Sequence, residues 1–319
     1  MTVNRGRKKI STDTDNGHGH GIISMNEKKH VPEGFNRGTE VSIGLIQTAV
    51  TKDIQENIQK TVSFVRKATA QGAQIICLQE LFGTIYFPQH ERFDASGFAE
   101  TISGDTVSLF SRLAKELGIV IIVPLFEKAQ NGNYYNSAVT IDADGSILGV
   151  YRKIHIPFDP LFYEKNYFKD GDMGYQVYKT KFASIGVLIC YDQWMPEAAR
   201  ITALMGAEII FYPTAIGWIK GHTSQDGDWH NAWETVQRGH AIANGVHVAA
   251  VNRIGEEEQL QFWGGSFVAD AFGKVIKKAS HDREEILVAT IDLSMNKKIR
   301  EGWGFLNNRR PDTYSPICK

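Results

Sequence analysis

Glu80, Lys153 and Cys190 occupy one kind of place in the chain. Glu80 follows the apolar run "IICLQ", Lys153 follows "ILGVYR", and Cys190 follows "IGVLI". Strand ends in α/β folds line ligand crevices, so polar side chains stationed there can converge. Together the three suit nucleophilic catalysis. A thiol attacks, a carboxylate takes its proton and later activates water, and an ammonium group steadies charge that develops on the substrate. "PEAAR" after the cysteine reads as a helix. A helix N-terminus and a nearby lysine would each lower a thiol pKa from its usual value of about 8.5.

Singly, each residue has a plainer reading. A lone cysteine after an apolar run is more often a small core residue, and a lone Glu or Lys there a solvated charge. Cys77 lies inside "IICLQ" and reads as core; Cys318 lies in the C-terminal tail and reads as inert. A Cys–His hydrolase is a rival arrangement, with His155, His222, His230, His240 and His247 available. His240, in "QRGHAIANG", reads as a packed, hydrogen-bonded histidine. A zinc enzyme would need HExxH or a close Cys/His cluster, which the sequence lacks.

Alternating elements must hold these residues. "VSIGLIQ" reads as a strand, and Ile54, Ile58, Val62 and Val65 recur at helical spacing before Gly72. "AQIICLQ" is a strand. "GDTVSLFSRLAKELG" is a helix with Val107, Phe110, Leu113 and Leu117 on one face, and "IVIIVPL" is a strand. Asn131-Gly132 and Asp144-Gly145 mark two hairpin turns. The second half repeats the theme. "FASIGVLIC" is a strand, "PEAARITALMG" a helix with Pro196 in its first turn, "EIIFYP" a strand, and residues 228–244 a helix. The strands "VHVAAVN", "GGSFVADAFGKVIKKA" and "EEILVATID" follow. The halves resemble each other in element order, which suggests two packed sheets in one domain.

Residues 1–38 differ. They are polar, charged and Gly-rich, without sustained periodicity, and read as a flexible extension ahead of a domain over 39–319. "RGRKK" there reads as a solvated charge run, and His18 and His20 as too few to make a metal site.

Bulk composition narrows the class. The chain of 319 residues, 42% hydrophobic and 22% charged, is long enough for a large core. Thirty-five basic against thirty-six acidic side chains leave a net charge of −1, which gives no sign of nucleic-acid or anionic-membrane binding. No apolar run reaches the roughly 20 residues of a membrane span, and no hydrophobic leader core is evident. Three cysteines at unrelated spacings argue against a disulfide framework. The expectation is a cytoplasmic protein without bound metal or organic cofactor.

"LQELFGTIYF", "YRKIHIP" and "CYDQWMPEAAR", in that order, resemble the three signature segments of the nitrilase superfamily of carbon–nitrogen hydrolases. The resemblance covers about 40–315, including "NNRRPDTY", similar to that family's C-terminal extension, which here would begin near residue 294. It implies a four-layer α-β-β-α sandwich, assembled as dimers and larger even-numbered homo-oligomers. Cys190 becomes the nucleophile, Glu80 the general base, Lys153 the oxyanion-stabilising residue and Glu164 a supporting carboxylate. The backbone N–H of Tyr191 would join the oxyanion hole, and Tyr86 and Trp194 would line the pocket.

Within the superfamily these segments, with "YPTAIGW" and "QRGHAIANG", are most similar to N-carbamoylputrescine amidases. Members that act on N-carbamoyl amino acids place basic groups after the cysteine to hold a carboxylate. Here Asp192, Gln193 and Trp194 follow, with no basic residue before Arg200. That favours an aliphatic or cationic chain, with Asp226 and Asp228 expected near the mouth. "PFDPLFYEK" departs from the Gly-Pro-Gly-like turn of plant members. Other amidases or carbamoylases of the superfamily, and a non-catalytic scaffold of the same fold, are the alternative readings.

Overall fold

The computed structural model describes residues 38–221, 225 and 227–318. The extension, with His18 and His20, and the candidates His222 and Asp226 fall outside the described residues.

The first half runs β1 (Glu40–Gln47), α1 (Ile54–Ala70), β2 (Ile75–Leu78), α2 (Asp105–Leu117), β3 (Val120–Lys128), β4 (Tyr134–Ile141) and β5 (Ile147–Arg152). Then come β6 (Val177–Lys179), β7 (Ser184–Val187), α3 (Pro196–Leu204), β8 (Ile209–Thr214), β9 (Gly217–Ile219), α4 (Trp229–Asn244) and β10 (His247–Asn252). The chain continues through β11 (Ile254–Glu257), β12 (Leu260–Trp263), β13 (Phe267–Ala269), β14 (Val275–Lys278), β15 (Glu285–Asp292) and α5 (Ser294–Trp303).

Two six-stranded sheets result, in the orders β15-β1-β2-β3-β4-β5 and β6-β7-β8-β10-β13-β14. Their directions correspond. In each, the second, third and fourth strands are parallel, and every other neighbouring pair is antiparallel. The likeness between the halves is therefore real. Alternation of side chains separates the layers. Ile43, Leu45, Ile75 and Cys77 enter the core shared with the second sheet, while Ile46, Ile76 and Leu78 pack with Ile58, Val65, Phe110 and Leu113 of α1 and α2. Beside the second sheet, Ala198, Ala199 and Ala203 of α3 and Trp233 and Ala241 of α4 join that core. The described residues form the expected α-β-β-α sandwich.

The local causes are readable. Asp53 caps α1 by accepting from the amides of Gln55 and Glu56, and Gly118 ends α2 in a left-handed conformation. Gly44 in β1 and Gly186 in β7 hold corresponding places. A Cβ on Gly44 would lie 2.9 Å from the Ala73 Cβ, and one on Gly186 only 2.1 Å from the Thr202 Cγ2. Each lets its helix layer approach the sheet.

Some elements carry no clear sequence signal. β6 is three residues long, and β9, β12 and β11 form a small antiparallel sheet. The region from 294 contains α5 and short 3₁₀ turns at Pro311–Thr313 and Ser315–Cys318. Among the described residues no helix is long and apolar enough to cross a membrane.

Candidate active site

β2 runs parallel to both its neighbours and β7 runs parallel to β8, and Glu80 and Cys190 lie just beyond the C-terminal ends of β2 and β7; Lys153 directly follows β5. Lys153, buried to 1% exposure, is the centre of a charged cluster. Its Nζ donates to Glu80 Oε1 at 2.9 Å and to Glu164 Oε2 at 2.6 Å. Asn136 Nδ2 also donates to Glu80 Oε1, at 2.7 Å, and the Tyr86 hydroxyl donates to Glu164 Oε1 at 2.8 Å. Glu80 Oε2 is buried and makes no hydrogen bond among the described residues.

Two carboxylates and one ammonium in a dry site perturb one another. Burial opposes the charge on Lys153, yet Glu164 and Glu80 together hold its pKa above the ordinary lysine range. Burial pushes Glu164 up to about 7; Lys153 pulls it back and Glu80 pushes it further. Burial likewise raises Tyr86, helped by Glu164.

Cys190 faces this cluster. Burial pushes its thiol well up and Glu80 adds to the push; Lys153 and a backbone hydrogen bond with Ala215 pull it down. The net direction is opposite to the lowering expected from sequence. The helix argument also fails on geometry. β7 ends at Val187, Cys190 opens a single 3₁₀ turn over Cys190–Trp194, and α3 starts only at Pro196. Cys190 itself has a φ of 44°, a conformation that side-chain-bearing residues rarely adopt and one that breaks strand from turn.

Asp192 and Gln193 also differ from expectation. Neither faces the substrate space, because both are fully buried and spent on fixing the turn. Asp192 Oδ2 accepts from the Ile189 amide at 2.9 Å and the Tyr151 hydroxyl at 2.7 Å, and Oδ1 meets the His155 amide at 3.0 Å and Nδ1 at 2.7 Å. Gln193 Oε1 accepts from Trp233 Nε1 at 2.8 Å, and its carbonyl meets His240 Nε2 at 2.8 Å. The packed reading of His240 holds. Asp228 caps α4 through the Asn231 amide, an alternative use of the charge expected at the mouth.

A cavity of ≈ 390 Å³ opens onto Cys190 and Glu164; of the two expected wall residues Trp194 lines it and Tyr86 does not, and Tyr191 is a further wall. Tyr86 reaches it through Glu164. Walls that sequence reasoning missed are Phe162, Ile216, Trp229 and Trp263. Among the described residues no Lys, Arg or His lines it. A larger hollow of ≈ 810 Å³ beside α1 holds none of these groups. No cluster of three or more His, Cys, Asp or Glu suited to a metal occurs among the described residues.

The least legible residue is Arg253, fully buried between β10 and β11. One guanidinium nitrogen donates to the carbonyls of Glu80, Leu81 and Thr84 at 3.2, 2.7 and 3.0 Å; the other pairs with Glu257 Oε1 at 2.6 Å. Glu257 Oε2 in turn accepts from the Tyr86 amide at 2.6 Å. The small sheet thus holds the segment that carries Glu80 and Tyr86.

Sandwich and cluster together define a hydrolase of carbon–nitrogen bonds: residues 42–301 match the carbon-nitrogen hydrolase family profile, and the chain belongs to that family. It is similar to an N-carbamoylputrescine amidase of Arabidopsis thaliana, 47% identical over 89% of this chain and 97% of that protein. A citrullinase of Francisella tularensis is 40% identical over 88% and 98%. A carbon-nitrogen hydrolase structure from Helicobacter pylori G27 superposes with a TM-score of 0.84 at 43% identity, covering 88% of this chain and 99% of that one.

Proposed function

We propose that the protein hydrolyses N-carbamoylputrescine to putrescine, ammonia and carbon dioxide through a thioester on Cys190. The carrying observation is the pairing of a buried cysteine, opening onto a cavity that no cationic side chain lines among the described residues, with the Glu80–Lys153–Glu164 cluster. The likeness to N-carbamoylputrescine amidases supports the substrate.

In this reading Glu80 Oε2, the oxygen that makes no hydrogen bond among the described residues, takes the Cys190 proton as the sulfur attacks the ureido carbon. Because the resting thiol is held neutral by burial, proton transfer and attack are coupled. Lys153 Nζ and the Tyr191 backbone N–H hold the tetrahedral oxyanion. Glu80 returns the proton to the leaving nitrogen and ammonia departs, leaving a carbamoyl thioester. Water, deprotonated by Glu80, then frees the sulfur, and the carbamate loses carbon dioxide to give the amine. Glu164 and Tyr86 keep Lys153 in place. The reading needs no metal or cofactor, and includes a cytoplasmic homo-oligomer built from dimers that serves polyamine formation.

A citrullinase among the relatives makes another ureido substrate the alternative. Citrulline and N-carbamoyl amino acids carry a carboxylate, which in this cavity would meet no lining cation among the described residues. Ammonia release from N-carbamoylputrescine, citrulline, N-carbamoyl-β-alanine, N-carbamoyl-D-amino acids and an ω-amide decides the matter. The expected kcat/KM for N-carbamoylputrescine exceeds the others by at least ~10²-fold. Equal rates, or preference for a carboxylate, would remove the polyamine reading.

A further inference from the structure

Among the described residues, two carboxylates line the cavity over Cys190, Glu164 and Asp159. They are not equivalent. Both Glu164 oxygens are engaged, by Tyr86 and by Lys153. The Asp159 side chain makes no hydrogen bond or ion pair among the described residues, and it is exposed. Its backbone, however, is fixed. Asp159 and Phe162 bond reciprocally, amide to carbonyl, at 3.3 and 2.8 Å across Pro160 and Leu161. Leu161 has a φ of 66°, in the third place of a tight turn where glycine is the usual occupant. A leucine held there costs backbone energy, which tends to persist where a site needs a set geometry. This turn sits in "PFDPLFYEK", and it presents a carboxylate at the rim while Glu164 stands in the interior.

Trp194, Trp229 and Trp263 line the same cavity, and indole faces attract cations. Among the described residues no lysine, arginine or histidine lines the cavity to compete for Asp159. An exposed carboxylate with no partner among the described residues, in a cavity that also holds the thiol and aromatic rings, suits a substrate with a reactive head and a cationic tail.

We propose that Asp159 is the specificity-determining residue that holds the terminal ammonium of the substrate. The inference rests on the reading of Cys190 as the nucleophile for a ureido head. It adds the discrimination, since Asp159 attracts an ammonium tail and repels a carboxylate tail of equal length.

The test compares 4-ureidobutylamine, its neutral isostere pentylurea, and 5-ureidopentanoate, by ammonia release from the full chain. The wild type should prefer the amine to pentylurea by about 10-fold or more in kcat/KM. Asp159→Asn should raise KM for the amine about 10-fold, with kcat within about 2-fold and pentylurea unaffected. Asp159→Glu should fall between, and Asp159→Lys should shift preference toward 5-ureidopentanoate. Melting temperatures should match the wild type, because the side chain is exposed. Equal KM values for the amine in wild type and Asp159→Asn overturn this inference and leave the substrate reading intact. A wild type that prefers pentylurea or 5-ureidopentanoate overturns both.

Discussion

The Arg253 guanidinium donates to the backbone carbonyl of Glu80 at 3.2 Å, across 173 positions of sequence. A cation thus positions the peptide that carries a carboxylate, while another cation, Lys153, meets the carboxylate itself. The Glu80 side chain is held by its tip and by its main chain, which leaves Oε2 little room to wander.

Arg253→Met strips the buried Glu257 of its cation. About 3–5 kcal/mol of stability should go, read as a lower denaturant midpoint. In the protein that still folds, kcat should drop on the order of 10-fold, because Glu80 loses its set position. Adding Glu257→Gln should restore stability but not kcat. Wild-type kcat in the double variant would show that the Glu80 peptide keeps its place unaided.

The thiol gives a spectroscopic prediction. Burial and Glu80 hold the Cys190 proton on, so the difference in absorbance at 240 nm between wild type and Cys190→Ala should show no thiolate step below about pH 8.5, where a free thiol would titrate. Cys190→Ala should abolish turnover. Cys77→Ala, in the core, should keep kcat and lose about 1 kcal/mol of stability. Mass spectrometry with a slow substrate should find the adduct on the Cys190 peptide; an adduct elsewhere refutes the assignment.

Lys153→Met leaves Glu80 and Glu164 buried without their cation. At neutral pH the loss should be about 3–5 kcal/mol. Glu164, already raised by burial and no longer pulled back by Lys153, then folds more readily with a proton bound, so the folded state binds more protons than the unfolded one and stability falls as pH rises. The variant should unfold at a higher denaturant midpoint at pH 5 than at pH 8, relative to wild type. A gap independent of pH would show that the carboxylates find other partners.

Glu164 itself sets a pH window. Its carboxyl is raised from 4.5 to about 7 in the folded protein. The stability it contributes is complete below about 4.5 and disappears as pH climbs to about 7. Glu164→Gln removes that titration. The stability of wild type minus variant should therefore decline across that window and level off above it. Chemical denaturation at pH 4.5, 6, 7 and 8 gives the comparison, and a rising difference would contradict the burial of an easily protonated Glu164.

Glu80, Lys153 and Cys190 were legible because each follows a run apolar enough to be recognised as a strand. Periodicity likewise exposed α1, α2 and the two halves. Arg253 was not legible, since what it serves is three carbonyls about 170 positions away, and carbonyls have no sequence signature. Asp192 misled for a related reason. A charged residue beside a nucleophile suggests contact with substrate, and only Tyr151, His155 and the Ile189 amide, gathered around it, reveal that its charge is used internally. β9, β11 and β12 escaped because strands of three or four residues, interrupted by "EEEQ", show no usable alternation. The thiol pKa was misjudged because helix and lysine effects can be read along the chain, whereas burial cannot.

β1 pairs along its whole length with β15, from Glu40 opposite Asp292 to Gln47 opposite Glu285. A ribosome delivers β1 before every other described strand and β15 after all of them. During synthesis the first sheet therefore stands with one flank open while the remainder of both sheets emerges. That flank is a row of amides and carbonyls able to pair with a neighbouring nascent chain. A stop codon before Glu285 would spare Glu80, Lys153, Glu164 and Cys190, yet its product should be found in the insoluble fraction, because translation had ended before the edge of the sheet was covered.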